Sequence, residues 1–217
     1  MSDKSVNNMD LIHSKTYRYE VLPCRSESKK ILYVLHGYGQ LAKFFIRKFE
    51  VLREKYHIVA PEGMHRFYLQ GSSGRVGASW MTKEARESDI EDNLNWLNEL
   101  DAQVSQNIQV EDRYLLGFSQ GGATAARWFA ETKNQFKGIV LWACVFPPDL
   151  EMEEETEKFR SDDRCTFVIG TADQYYNTDQ QKALIDFYKN LSFKTVRYEG
   201  DHNIESDTLQ AIYDSNV

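Results

Sequence analysis

Short, uninterrupted apolar runs separated by longer amphipathic stretches set the layout of this chain. Ile31–Leu35, Ile58–Ala60, Tyr114–Leu116, Gly138–Trp142, Phe167–Ile169 and Thr195–Tyr198 have strand length. Most lack polar alternation, the pattern of strands whose two faces are both covered. Thr16–Leu22 alternates instead, with Tyr17, Tyr19 and Val21 on one face, which predicts a half-exposed antiparallel edge strand. Between the runs, apolar positions recur at helical spacing. Ser88 to about Ile108 carries Ile90, Leu94, Leu97, Val104 and Ile108 on one stripe, opened by a Ser88-x-x-Glu91 capping box. A second helix is predicted from Thr178-x-x-Gln181, with Leu184, Tyr188 and Leu191 three and four apart, and a last one carries Leu209, Ile212 and Tyr213. Strands alternating with helices predict an α/β fold with a mostly parallel central sheet and helices on both faces.

Composition narrows the setting. A chain of 217 residues, 41% hydrophobic, suits one domain over 1–217, with 1–14 as a polar, loosely packed N-terminus. The net charge of −7 disfavours nucleic acid and anionic membrane surfaces as partners. No stretch reaches membrane-spanning length, so integral membrane association is not expected. Cys24, Cys144 and Cys165 are odd in number and widely spaced, matching neither a disulfide framework nor a metal-ligand spacing. A cytoplasmic protein with no metal and no organic cofactor is expected, and a homodimer is compatible with this pattern. The acidic segment Asp149–Arg164 reads as a solvated helix or loop.

The chemistry concentrates around Gly117-Phe118-Ser119-Gln120-Gly121, set between the apolar run Tyr114–Leu116 and the small-residue helical stretch Gly122–Ala126. A serine on a sharp strand-to-helix turn needs glycines two positions either side so that neighbouring backbone can pass closely. Ser119 is therefore the candidate nucleophile. A serine hydroxyl needs a histidine to take its proton and an acid to orient that histidine. His202, in Gly200-Asp201-His202-Asn203, directly follows the last strand and is the candidate base. His36 lies in a Gly-rich turn and reads as structural, His57 starts a strand, and His13 and His65 show no partner pattern. Asp173, just past a strand and one crossover unit earlier, is the candidate acid in the chain order Ser, Asp, His. Asp201 and Asp149 fit less well. The first would fold back on its neighbour, and the second follows the stiff Pro147-Pro148. Backbone N–H groups of Tyr38, in His36-Gly37-Tyr38-Gly39-Gln40, and of Gln120, at a helix start, are the candidate oxyanion donors.

Together, Leu35-His36-Gly37-Tyr38-Gly39, Gly117-Phe118-Ser119-Gln120-Gly121-Gly122, Gly170–Asp173 and Gly200-Asp201-His202 resemble the phospholipase/carboxylesterase family of the α/β-hydrolase superfamily, which includes acyl-protein thioesterases and bacterial carboxylesterases. The resemblance runs from about Ile31 to Tyr213. It implies a serine carboxylic-ester hydrolase working through an acyl-enzyme on a small-molecule ester or thioester. Acyl-protein thioesterase or lysophospholipase activity is the alternative within enzymes, and a non-catalytic small-molecule binding protein the alternative outside them. The family often has Val-Pro soon after the acid, whereas Gln174-Tyr175-Tyr176-Asn177 stands here, so a different rim is expected.

Trp80, Cys144, Val145, Phe146 and Tyr175 are the candidate substrate-binding residues: Cys144, Val145 and Phe146 directly follow the Gly138–Trp142 strand on the catalytic edge, Tyr175 stands at the rim, and an apolar acyl slot is expected. Gly71-Ser72-Ser73-Gly74-Arg75-Val76-Gly77 is glycine-rich but lacks the Lys-Ser/Thr ending of a phosphate loop. It reads as a mobile flap, with Arg66 or Arg75 facing an anionic group of the substrate.

Overall fold

The computed structural model describes residues 9–132, 135–150, 157–159 and 164–215. Seven strands form one sheet in the order β1(Tyr19–Leu22), β3(His57–Pro61), β2(Lys30–Leu35), β6(Asp112–Phe118), β7(Phe136–Trp142), β8(Cys165–Gly170) and β9(Lys194–Tyr198). All pairings are parallel except the edge pair β1–β3. Side chains alternate between two cores, which explains the continuous apolar runs. Ile31, Tyr33 and Leu35 of β2 enter one core with Leu115, Ile139 and Leu141, while Leu32 and Val34 enter the other with Leu116, Val140 and Trp142.

Helices α2(Arg86–Ile108), α3(Gln120–Glu131) and α4(Thr178–Asn190) supply side chains to the first core. The second is covered by α1(Ala42–Phe45), the 3-10 helix Ile46–Leu52 and α5(Ser206–Asp214). Among the described residues no helix is long and apolar enough to cross a membrane. Among the described residues no disulfide joins Cys24, Cys144 and Cys165.

Local signals and tertiary contacts disagree in three places. Helix α2 begins at Arg86 after Ala85 in the left-handed region (φ 48°), so Ser88 and Glu91 lie inside the helix and form no capping box. Arg86, the first helical residue, forms an ion pair with Asp149. In α4 the box is one residue earlier: Asn177 Oδ1 accepts from the Gln180 N–H and Gln180 Oε1 from the Asn177 N–H, each at 2.9 Å. The glycine-rich stretch read as a flap carries regular structure. Ser73–Gly77 belongs to β5(Ser73–Ser79), which pairs with β4(His65–Gln70) in a separate antiparallel hairpin.

Residues 9–14 carry no regular structure and are exposed, whereas residues 1–8 of the expected loose N-terminus lie outside the described residues. So do 151–156 and 160–163 of the acidic segment Asp149–Arg164. Within its described part, Asp149 pairs with Arg127 and Leu150 is buried.

The order of β3, β2, β6 and β7 contains a reversal: the chain leaves β2 toward one edge and leaves β6 toward the other. Connections therefore diverge beyond the carboxyl ends of β2 and β6, opening a crevice there, the general ligand position in parallel sheets. Tyr38 and Ser119 both sit at that end.

Candidate active site

Ser119 occupies the single residue between β6 and α3, at φ 53° and ψ −123°. Such backbone costs on the order of 1–3 kcal/mol for a side-chain-bearing residue, so it must be held by its surroundings. The Ser119 N–H donates to the Trp142 carbonyl at 2.8 Å, and its own carbonyl accepts from Gly122 at 2.9 Å. The flanking glycines are needed for space. A Cβ on Gly117 would lie 2.5 Å from the Gly122 Cα, and one on Gly121 would lie 2.4 Å from the His36 carbonyl oxygen.

That second contact joins the elbow to the loop after β2. A Cβ on Gly37 would stand 3.2 Å from the Ser119 Cβ, so the loop runs directly beside the serine. Gln40 Oε1 accepts from the Gly37 N–H at 2.9 Å, while Gly39 donates to the Ala78 carbonyl at 2.8 Å. The Tyr38 ring rests on Phe67 of the hairpin. Gln120 is the first residue of α3, where a helix offers its N–H no internal acceptor and the helix dipole favours an anion. Its side chain accepts from the Trp80 N–H at 3.1 Å and donates to the Met81 carbonyl at 2.9 Å, locking the helix start.

The Asp173 and His202 loops are bonded to each other. Thr171 donates to the Tyr198 carbonyl and Ala172 to the Gly200 carbonyl, each at 2.9 Å. Asp173 is buried, and its Oδ2 lies 2.6 Å from His202 Nδ1, while its Oδ1 accepts from the Tyr175 N–H at 2.9 Å. A carboxylate only accepts, so Nδ1 is the donor in this pair. The His202 N–H donates to Gln174 Oε1 at 3.2 Å. Tyr198 Oη shares its one proton between the carbonyls of Asp201 and Asn203, on either side of His202, at 2.7 and 2.5 Å. The imidazole packs on Phe118, the residue before Ser119, with ring centroids 4.9 Å apart.

The sequence-predicted substrate-binding residues divide. Tyr175, 68% exposed, stands edge-on to the His202 ring at 4.5 Å. Val145 and Phe146 line a cavity of about 350 Å³ with Tyr176, Leu184 and Phe187. Trp80 and Cys144 lie behind the site instead. Trp80 is 0% exposed, and its indole N–H donates to the His36 carbonyl at 2.8 Å. The Cys144 thiol is buried beside the Tyr188 hydroxyl at 3.4 Å, and burial pushes it up to about 12, which keeps it protonated and inert. Cys144 comes two residues after β7 and Trp80 directly after β5 of the hairpin, and both side chains pack into the core.

His36 is structural: burial lowers it to about 4, and its Nε2 accepts from the Gly63 N–H at 2.9 Å. His65 Nε2 lies 3.1 Å from Asp89 Oδ2 without hydrogen-bond alignment, a long-range pairing with no local signal. Arg66 is engaged by the buried carboxylate of Glu62 at 2.6 Å. Sequence reasoning missed the roles of the Gln120 and Gln174 side chains and of the Tyr198 hydroxyl. Among the described residues, no group of three or more His, Cys, Asp and Glu side chains is placed to hold a metal ion.

The same architecture recurs in solved structures of low sequence identity. Esterase PE8 superposes with a TM-score of 0.70 at 20% identity, over 94% of this chain and all of that one. A Bacillus cereus carboxylesterase gives 0.66 at 17% identity, over 92% and 94% of the two chains. Acyl-protein thioesterase 2 of Zea mays gives 0.65 at 17% identity, over 91% and 96%. Among curated protein sequences, none matches the chain. The fold is that of the α/β-hydrolases. Residues 18–215 match the model of the phospholipase/carboxylesterase family, and the chain therefore belongs to that family.

Proposed function

We propose that this chain is a serine carboxylic-ester hydrolase that works through an acyl-enzyme. One observation carries the reading: a histidine bonded through Nδ1 to a buried carboxylate at 2.6 Å packs against the residue preceding a serine held in left-handed backbone. In this reading Ser119 Oγ attacks the ester carbonyl carbon while His202 Nε2 takes the hydroxyl proton. Asp173 fixes the ring and stabilises the imidazolium. Negative charge on the carbonyl oxygen meets the N–H groups of Tyr38 and Gln120, which are worth most in the transition state. The tetrahedral species collapses, and the alcohol leaves with the proton from His202. Water then attacks the acyl-enzyme by the same route, releasing the acid and restoring Ser119.

The cavity beside Val145 and Phe146 is the proposed acyl slot. It is walled by apolar side chains from the β7 exit and α4, and one wall residue, Tyr176, has its ring 6.3 Å, centroid to centroid, from that of His202. The test is a set of 4-nitrophenyl esters of increasing chain length with matched thioesters, assayed on the wild type and Ser119→Ala. Loss of turnover by about 10⁴-fold or more on replacing Ser119 is expected. Undiminished hydrolysis by Ser119→Ala would refute the proposal. A consistent advantage for thioesters would move the assignment to a thioesterase.

A further inference from the structure

A second cavity, of about 630 Å³, opens on the other side of the oxyanion loop, between Gly39–Leu41, the α1 region and the β4–β5 hairpin. Its composition is unlike that of the chain. The protein has 33 acidic against 26 basic side chains, yet Lys43, Lys48 and Arg75 line this cavity and no carboxylate does. Phe44, Leu69 and Val76 supply apolar wall between the cations.

None of the three cations is neutralised. Among the described residues no carboxylate stands within ion-pair distance of Lys43, Lys48 or Arg75. Lys43 Nζ lies over the Phe44 ring, and Lys48 Nζ donates to Asn203 Oδ1 at 2.7 Å. The nearby carboxylate of Glu62 is already held by Arg66 and the Ala42 N–H. Three unpaired cations around low-dielectric walls focus a positive potential, even on a chain of net negative charge.

The cavity is tied to both halves of the site. Gln40 lines it and holds the Gly37 N–H, while Lys48 is bonded to the residue after His202. The apolar slot lies on the other side, toward β7 and α4. We propose that this cavity binds an anionic group, carboxylate or phosphate, on the alcohol portion of the substrate, so that the preferred substrate is an ester of an apolar acid with an anionic alcohol. This rests on the hydrolase reading above. Arg75 offers planar paired donors to the anion and Lys43 a point charge.

The test compares 4-(butanoyloxy)benzoate, its neutral methyl ester and 4-(butanoyloxy)phenyl phosphate, each kcat/KM divided by that ester's hydroxide-catalysed rate. Wild type should favour the anionic esters over the neutral one by about tenfold or more at low salt, as expected for one or two charge-assisted hydrogen bonds. The preference should collapse toward one in Lys43→Gln/Arg75→Gln and shrink in about 0.5 M salt, where screening is strong. Lys137→Gln, at the opposite end of β7, should leave the preference intact. Lys48 is left in place because it touches the histidine loop. Whichever anion leads identifies the group.

Ser119-dependent turnover without charge preference, or a preference that survives the double substitution, overturns the subsite and leaves the hydrolase reading standing. Absence of Ser119-dependent turnover on every ester overturns the hydrolase reading. The cavity is then judged by equilibrium binding of phenyl phosphate and 4-hydroxybenzoate. Binding weakened about tenfold by the double substitution supports the anion site, and unchanged or absent binding overturns it.

Discussion

Gly121→Ala tests the contact that joins the Ser119 turn to the loop of Tyr38, the proposed oxyanion donor. The added methyl would lie 2.4 Å from the His36 carbonyl oxygen, 2.5 Å from the Leu35 carbonyl oxygen and 2.7 Å from the Leu35 carbonyl carbon. All three are backbone atoms of β2 and its exit, so no side chain can swing aside. Relief requires the start of α3 and the loop to part by about 1 Å, and overpacking of this kind costs about 1–3 kcal/mol. The same displacement carries the Gln120 amide away from the Tyr38 amide. Misplacing one donor costs about 10²–10³-fold in kcat. Urea unfolding measures the first effect and steady-state ester hydrolysis the second. Gly71→Ala is the control: Gly71 has φ +68° but open space around its missing Cβ, so it should lose about 1 kcal/mol from backbone strain and little activity. A Gly121→Ala protein with wild-type stability and wild-type kcat would refute the claim that close backbone approach builds the oxyanion site.

Three further outcomes follow from the geometry. Asp173→Asn should reduce kcat by about 10⁴-fold with the fold intact by circular dichroism, because an amide can present its NH₂ to Nδ1 and favour the wrong tautomer; a loss below tenfold would remove Asp173 from its role. Tyr198→Phe removes the donor that binds the carbonyls of Asp201 and Asn203 and the acceptor 3.4 Å from the Trp142 indole nitrogen. Stability should fall by about 1–3 kcal/mol and kcat by up to ~10²-fold with KM little changed, as measured by urea unfolding and steady-state kinetics. His36 titrates near 6.5 when unfolded and at about 4 when buried, so the unfolded chain binds more protons between those values and stability declines as pH falls through that window, by about 3 kcal/mol in all. Urea midpoints from pH 7 to pH 4 check this, and an equal decline in His36→Gln would contradict it.

The sheet was legible because its strands are covered on both faces, which writes them into the sequence as unbroken apolar runs. Five such runs, the polar-interrupted Thr195–Tyr198 at one edge and the alternating segment at the other correspond to the seven strands of the main sheet. The β4–β5 hairpin was not legible. Tyr68 and Leu69 are part-exposed, and the β5 end is glycine-rich, so neither strand carries a buried stripe. Helix starts were read a residue or two late: α2 begins at Arg86, ahead of Ser88, and the α4 box is Asn177 with Gln180, a local cap that competes with Thr178-x-x-Gln181. In the candidate site, the Ser, Asp and His positions follow strands at one sheet edge, and Asp173 and His202 meet at 2.6 Å. Residues that orient them through side-chain amides, Gln120 and Gln174, leave no periodic or motif signal beyond their own positions. Cys144 shows the limit of reasoning from strand ends: position gives the edge, while the direction of the side chain is set by packing.

The central claim is that Ser119 is an activated nucleophile in the folded protein, and covalent labelling by a fluorophosphonate tests it most directly. Intact-mass analysis followed by peptide mapping should give one adduct per chain, on Ser119, with labelling slowed strongly by Asp173→Asn and abolished by Ser119→Ala. An unlabelled Ser119 in folded protein, or labelling that persists undiminished in Ser119→Ala, would contradict the account.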